Sequence, residues 1–264
     1  MTISARGILF DMDGVLYNSE RLIAGAVETL EWIRAKAIPH LFLTNTTSRC
    51  GDALAAKLRT FGIPAQESDI LTPAVAAAQW LRSRGESPIA LFLRPTARRD
   101  FADLVCLPDD AEQGAACVII GDLGDLWDYR TLNRAFRLLH HNPEAKLIAL
   151  GMTRYWLAGS GISLDVAPFV AALEHATGRQ PLVFGKPDAR FFQAAAEKLG
   201  LGAADLLMIG DDISADIGGA QAAGLKGALV KTGKFRPADL EGEIRPDAVL
   251  DSIADLSRCW CAAS

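Results

Sequence analysis

The chain has 264 residues, half of them hydrophobic and 22% charged, with a formal net charge of −5. That is enough apolar material for a sizeable core, either in one layered α/β domain or in two domains. The mildly acidic balance carries no electrostatic footprint for nucleic acid or an anionic membrane, and no uncharged apolar run approaches the roughly 18 residues of a spanning helix.

In chain order, Met1–Arg6 leads directly into the apolar run Gly7-Ile8-Leu9-Phe10, with no space for a signal peptide, so the expected setting is soluble and cytoplasmic. That run is a buried strand, and it feeds Asp11-Met12-Asp13-Gly14. On a strand, i and i+2 point the same way, so Asp11 and Asp13 face one pocket at the rim of a sheet, where open α/β folds bind ligands. Two carboxylates so close call for a cation or for split proton affinities. A helix follows on the period Ile23, Ala26, Val27, Leu30, Ile33, stopped by Pro39. The strand His40–Leu43 then runs into Thr44-Asn45, and helices over Gly51–Thr60 and Ala74–Leu81 complete a β-loop-α-β-loop-α pattern, the signature of a parallel sheet.

Between residues 79 and 179 the chain keeps a βα rhythm of its own. Strands are expected over Ile89–Leu93, Cys117–Ile120 and Lys146–Leu150, and helices over Ala97–Leu104, Tyr129–His140 and Val166–Thr177. Gly185-Lys186-Pro187 opens a helix over Ala189–Leu199 that Gly200 closes. Leu206–Gly210 is an apolar strand ending in Asp211-Asp212, with a helix carrying Asp216 running on to Gly224. Gly227–Val230 and Ala248–Leu250 are two more short strands, and Ile253–Trp260 is a last helix. The expected fold is therefore α/β: a doubly wound, Rossmann-like parallel sheet core over 1–78 and 180–264, with an inserted α/β cap domain over 79–179.

Three strand ends carry polar residues of complementary chemistry: Asp11 and Asp13, Thr44 and Asn45, and Asp211, Asp212 and Asp216. In a parallel sheet these ends share an edge, and Lys186 joins them. Several carboxylates with one hydroxyl and one ammonium suit phosphoryl transfer. Carboxylate oxygens bind Mg²⁺, Thr44, backbone amides and Lys186 can hold phosphate oxygens, and a carboxylate nucleophile divides one hard step into two.

In their order, the motifs Asp11-Met12-Asp13-Gly14-Val15-Leu16, Leu43-Thr44-Asn45, Gly185-Lys186-Pro187 and Gly210-Asp211-Asp212 with Asp216 resemble those of the haloacid dehalogenase superfamily of phosphatases. The span from Asp13 to Thr44 is too short for a cap, whereas that from Asn45 to Lys186 accommodates the large α/β cap of subfamily IIA. Within it the chain is similar to a group acting on phosphoamides and pyrophosphate. The stretches that carry this are Val118–Asp122, Leu132–Arg137, Leu164–Phe169, Leu173-Glu174, Ala176–Gly178 and Leu229–Lys234.

The resemblance implies that Asp11 becomes phosphorylated and, with the Asp13 carbonyl and Asp211, binds Mg²⁺. It implies that Asp13 is the general acid and then base, that Thr44 and Asn45 bind the phosphoryl group, and that Lys186 neutralises Asp11 and the phosphate. Asp212 and Asp216 would orient metal waters and Lys186. The implied partner is a small phosphorylated substrate, with a homodimer built through the cap. A phosphoacceptor signalling module or a non-catalytic binding protein of the same fold are the alternatives; neither explains the Asp13 acid as well.

Other features carry less. Trp127, Arg154, Tyr155 and Trp156 are expected in cap loops, as candidate contacts to the leaving group or as cap packing. Trp32, Trp80 and Trp260 fit helix packing, and the four histidines lie outside the motifs. The five cysteines are scattered, and the Cys259/Cys261 spacing is not that of a zinc site. Gly159-Ser160-Gly161 lacks the spacing of a dinucleotide loop and is set aside.

Overall fold

The computed structural model describes residues 3–158 and 161–262. The chain divides into two compact units: residues 1–44, 51–71 and 186–264, and residues 45–50 and 72–185.

The first unit is built on a six-stranded sheet in the order Ala248–Leu250, Lys226–Val230, Leu206–Gly210, Gly7–Asp11, His40–Leu43, Ile70–Leu71. Every neighbouring pair is parallel. The two central strands are buried along their whole length, as expected for apolar runs covered on both faces by helices. Numbered along the chain, the order is 3-2-1-4-5-6, so the direction of winding reverses between Gly7–Asp11 and Leu206–Gly210. Doubly wound folds bind ligands at that reversal. Phe10 pairs with Ile209, and Asp11 with Leu43. This register sets Asp11, Thr44 and Asp211 just beyond the sheet on the same edge.

Helix boundaries follow local chemistry. In Gly51–Thr60 the buried residues Leu54, Ala55 and Leu58 keep the helical period, and Gly62, at φ +80°, turns the chain out. Ala189–Leu199 begins where the Asp188 side chain accepts the Arg190 N–H and ends at Gly200 in the left-handed region. Phe10, Phe42, Ile209, Leu30, Leu58 and their neighbours form the core of this unit.

The second unit has a four-stranded sheet, Leu182–Val183, Lys146–Ala149, Cys117–Ile120, Ile89–Phe92, again parallel throughout. Its core joins Val118, Ile120 and Leu147 to Leu138, Leu139, Val170 and Leu173. Asp128 caps the helix Tyr129–His140 by accepting the Thr131 N–H. The second unit also carries an antiparallel hairpin, Tyr155–Ala158 with Gly161–Leu164, where the sequence reading places loops. The runs are short, and among the described side chains the large apolar ones lie outside: Ile162 is 76% and Leu164 63% exposed. Alternation therefore gave no inward apolar face to detect. Gly159 and Ser160 lie outside the described residues.

Three helix expectations change. The helix expected over Ala97–Leu104 is only Pro95–Arg98 followed by a 3₁₀ turn, Arg99–Phe101. The Asp100 carbonyl there accepts the Arg82 guanidinium, which also grips Asp103, so side-chain bonds replace the helical ladder. The helix after Asp212 opens as a widened π-type turn, Ile213–Gly218, before the short α-helix Gly219–Ala222. The last helix ends at Cys259, because Trp260 pairs with Ile3 in a two-stranded parallel ribbon and meets Trp32 edge-on at 6.5 Å. Among the described residues no helix is long and apolar enough to cross a membrane.

Leu58 is fully buried in the first core. We expect Leu58→Ala to cost about 2–5 kcal/mol, read as a lower urea midpoint at unchanged slope.

Candidate active site

The site sits at the carboxyl edge of the first unit's sheet. Asp11 ends its strand buried, and its Oδ1 accepts the Lys186 ammonium at 2.5 Å. The same ammonium lies 2.7 Å from Asp216 Oδ1. Lys186 stands just ahead of Ala189–Leu199, whose contact with Gly219–Ala222 fixes the entry. Gly219 has no side chain, and a Cβ there would stand 2.8 Å from the Pro187 carbonyl oxygen.

Asp216 is oriented by its own turn. Its Oδ2 accepts the N–H groups of Asp211 and Asp212 at 3.2 and 3.1 Å. This reach-back bond goes with the widened turn: Asp216 and Ile217 both donate their N–H to the Asp212 carbonyl. Asp212 caps the same turn, accepting from Ser214 and Ala215. Its other oxygen meets the Lys234 ammonium at 3.3 Å.

Asp211 is buried. Its Oδ2 accepts the Lys234 backbone N–H at 2.7 Å, while Oδ1 is buried without a hydrogen-bond partner. A buried carboxylate oxygen left bare is costly, so this atom marks where a cation fits. Asp11, Asp211 and Asp216 each offer an oxygen within 4.8 Å of the others. Hard oxygen donors at that spacing suit Mg²⁺. Asp216 is already engaged by Lys186 and two amides, which leaves Asp11 and Asp211 as the carboxylates best placed to hold the ion.

Asp13 differs from its neighbours. Its side chain is exposed, and its Oδ1 accepts the Ser19 N–H at 3.3 Å from the hairpin Tyr17–Asn18/Arg21–Leu22. Thr44 is buried directly beyond its strand. The first unit thus brings together Asp11, Asp13, Thr44, Lys186, Asp211, Asp212 and Asp216. Asn45 belongs to the second unit and is half-buried.

The electrostatics follow from burial. Burial pushes the Asp11 pKa up even though Lys186 opposes it, and pushes Asp216 up to about 6. Asp211 is raised by burial as well, against the Lys234 amide. Burial alone would lower Lys186, but Asp11 and Asp216 outweigh it and hold the ammonium firmly protonated. Asp212 is lowered: its bonds from Ala215 and Lys234 overcome its burial.

Sequence reasoning missed Lys234, which brings a second cation, and its neighbours Thr232 and Gly233. Their signal was the Lys-Thr-Gly-Lys run just past a short apolar strand, at the same sheet edge.

The second unit holds its own cavity of about 410 Å³, lined by Arg94, Asp122, Trp127, Trp156, Asp165 and Phe169 among others. Trp127 is stacked between Phe92 and Phe169, with ring centroids 5.9 and 4.4 Å away, so it both packs the unit and walls the cavity. Tyr155 and Trp156 lie on a hairpin strand rather than in a loop, because their backbones pair with Leu164 and Ser163. Arg154 precedes that strand, exposed, and its carbonyl accepts the Asp165 N–H. Neither Arg154 nor Tyr155 lines the cavity.

Residues 8–104 match the family model of haloacid dehalogenase-like hydrolases, and residues 183–256 match a second model of the same kind. Phospholysine phosphohistidine inorganic pyrophosphate phosphatase of Homo sapiens is 36% identical over 255 residues, covering 95% of this chain and 92% of that protein. Haloacid dehalogenase-like hydrolase domain-containing protein 2 of Bos taurus is 36% identical over 241 residues, covering 91% of this chain and 89% of the relative. Among solved structures, 4-nitrophenylphosphatase from Thermotoga maritima superposes with a TM-score of 0.85 at 28% identity, covering 96% of this chain and 97% of that one. The p-nitrophenyl phosphatase from Archaeoglobus fulgidus gives 0.85 at 25%, covering 96% and 98%.

Lys186→Met would leave two buried acids without their cation. The expected loss is about 3–5 kcal/mol at pH 8 and less at pH 5. An acid whose folded pKa lies above its unfolded value costs stability as pH rises between the two, and the cost is relieved as pH falls back. For Asp216 in the native protein that window runs from 3.8 to about 6; without Lys186 it widens upward. Urea unfolding of both proteins at the two pH values checks this.

Proposed function

The chain belongs to the haloacid dehalogenase-like hydrolases and is an enzyme of the phosphatase kind; on that footing we propose that it hydrolyses small phosphorylated compounds through an aspartyl-phosphate on Asp11, with Mg²⁺ as cofactor. The observation that carries this reading is the pairing of Lys186 with Asp11 at 2.5 Å beside the bare, buried Oδ1 of Asp211.

Asp11 is the nucleophile. Lys186 opposes the effect of burial on that carboxylate and adds a positive charge where phosphate oxygens must come. One carboxylate oxygen forms a bond to phosphorus as the bond to the leaving group breaks. Asp13 gives its proton to that leaving group. It is the acid of the cluster most open to solvent, which suits a group that must donate a proton and later recover one. Asp13 then takes a proton from a water that attacks the phosphoryl group, releasing phosphate and restoring Asp11. Thr44 binds phosphoryl oxygens by its hydroxyl, with Asn45 assisting. Asp11, the Asp13 carbonyl and Asp211 would hold Mg²⁺, which offsets the charge of the entering phosphate. Asp216 positions Lys186, and Asp212 is braced by Lys234.

Phosphate monoesters react so slowly in water that positioning and charge stabilisation must supply nearly all the acceleration. Asp11, Asp13, Asp211, Asp212 and Asp216 would carry up to five negative charges. Lys186, Lys234 and one divalent cation supply four positive ones. Without the divalent cation the excess would be three negative charges before the phosphate arrives, which is why the cluster calls for one.

The second unit we assign to substrate selection, as a cap domain spanning about the inserted 79–179 segment. The reading rests on its own cavity, walled by Trp127 and Trp156. P–O esters, the P–O–P bond of pyrophosphate and P–N phosphoamides all suit the core chemistry. The phosphoamide and pyrophosphate names of the 36% identical relatives favour testing those two first. A homodimer and a cytoplasmic setting belong to the same proposal.

Asp11→Asn is expected to abolish Mg²⁺-supported turnover of p-nitrophenyl phosphate, pyrophosphate and phosphohistidine while circular dichroism stays native; normal turnover would refute the mechanism. Repeated product release by the native protein also separates an enzyme from a phosphoacceptor or a binding protein. Asp13→Asn should lower kcat by about 10²–10⁴-fold with an alkyl phosphate and far less with p-nitrophenyl phosphate, whose leaving group needs little protonation. An equal effect on both substrates would remove Asp13 from the acid role.

A further inference from the structure

Past the strand Lys226–Val230 the chain makes a tight loop, Lys231-Thr232-Gly233-Lys234, of which only the Lys234 ammonium has a role above. It touches the site in three places. The Thr232 hydroxyl donates to the Gly14 carbonyl at 2.5 Å. The Lys234 N–H donates to Asp211 Oδ2 at 2.7 Å. The Lys234 ammonium reaches Asp212 Oδ2 at 3.3 Å. Gly14 and Gly233 both have positive φ, +91° and +64°, and a Cβ on either would run into Asp211 Oδ2. At Gly233 that Cβ would also stand 2.6 Å from the Gly14 Cα.

The two glycine backbones therefore close on one oxygen of Asp211. That oxygen is clamped and hydrogen-bonded. The other, Oδ1, is buried and bare. A carboxylate has two oxygens on one rigid plane, so fixing Oδ2 fixes where Oδ1 points. The Thr232 bond acts on the second half of the site: Gly14 follows Asp13, whose carbonyl is the backbone ligand of the reading above. One loop thus ties together the turn after Gly7–Asp11 and the strand end after Leu206–Gly210.

We propose that the Thr232-Gly233-Lys234 loop is a clasp that aims Asp211 Oδ1 and holds the Asp13–Gly14 turn, setting the protein's affinity for its divalent cation. The proposal rests on the reading of Asp211 as a metal ligand. Its residues are positioning residues and touch neither substrate nor ion. Partners that orient a metal ligand are typically worth 10- to 100-fold in metal affinity. Gly233 cannot take a side chain without displacing Asp211, and Thr232 cannot lose its hydroxyl without releasing Gly14.

The test is calorimetric titration of MgCl₂ into the full-length protein, with apo melting temperatures measured alongside. Thr232→Val keeps the shape and removes the donor; it is expected to weaken Mg²⁺ binding by about tenfold or more with little change in the apo melting temperature. Thr232→Ser should restore the native affinity. Gly233→Ala should weaken binding at least as much. In turnover assays the Mg²⁺ concentration for half-maximal rate should rise in Thr232→Val while kcat at saturating Mg²⁺ stays near native. Native Mg²⁺ affinity in both Thr232→Val and Gly233→Ala would overturn the clasp. So would losses of affinity that merely track a falling apo melting temperature, since those mark a structural role alone. Asp211→Asn separates the premise from the proposal: native Mg²⁺ affinity in that variant would refute Asp211 as a ligand, whatever the loop variants do.

Discussion

The contact on which the site depends is one ammonium shared by two buried carboxylates, Lys186 between Asp11 and Asp216. An isolated carboxylate or ammonium at that depth would neutralise itself rather than stay charged. Held as a triad, the charges survive. Lys186 stays protonated and counters the burial that raises Asp11, and Asp216 is held by its two backbone amides as its own pKa rises. A buried ion pair of this kind is weak evidence for stability. Its worth here lies in the positive charge it fixes beside Asp11, the nucleophile of the proposed mechanism.

The sheet explains why these three residues can meet. Asp11 and Asp216 are far apart in sequence, yet the parallel order brings the ends of the first and fourth strands side by side at the point where winding reverses, and Lys186 reaches both from the entry to Ala189–Leu199. The strands themselves are too apolar to carry function: all five residues of Leu206–Gly210 are buried. Polar chemistry can enter only where the strands stop, and a parallel sheet stops them all on one side. The widened turn after Asp212 serves the same end. A regular α-helix starting there would fix the Asp216 side chain by helical phase; the wider turn lets it fold back onto the amides of Asp211 and Asp212 while still reaching Lys186.

Much of this was legible in the chain. The first-unit strands and the acids at their ends came from apolar runs meeting charged residues, a signal that needs no partner. Asp11, Thr44 and Asp211 could be grouped because parallel topology forces their strand ends together, and Lys186 joined them through the Gly-Lys-Pro run that opens a helix. Three things were hidden for physical reasons. The 155–164 hairpin turns its large apolar residues outward, so its alternation points to no core. The 97–104 helix was cut short by Arg82, a side chain from a different helix, whose bond to the Asp100 carbonyl no local propensity encodes. Lys234 acts on Asp211 through its backbone amide, and an amide is the same in every residue but proline. What a backbone group does is invisible to residue identity; only the neighbouring Gly233, with no room for a Cβ, leaves a trace in the sequence.

That distinction divides the protein's two tasks. Bond chemistry depends on a few side chains whose identity is fixed by charge, so their types and spacing announce it. Choice of leaving group we assign to the second unit's cavity, where Trp127 is at once a packing residue between Phe92 and Phe169 and part of the wall. A residue with both duties cannot vary freely for either. Of the cavity wall's aromatic residues, the hairpin residue Trp156, which is 46% exposed and among the described residues stands in no ring stack, is freer to change than Trp127 and Phe169, which support the cavity from behind.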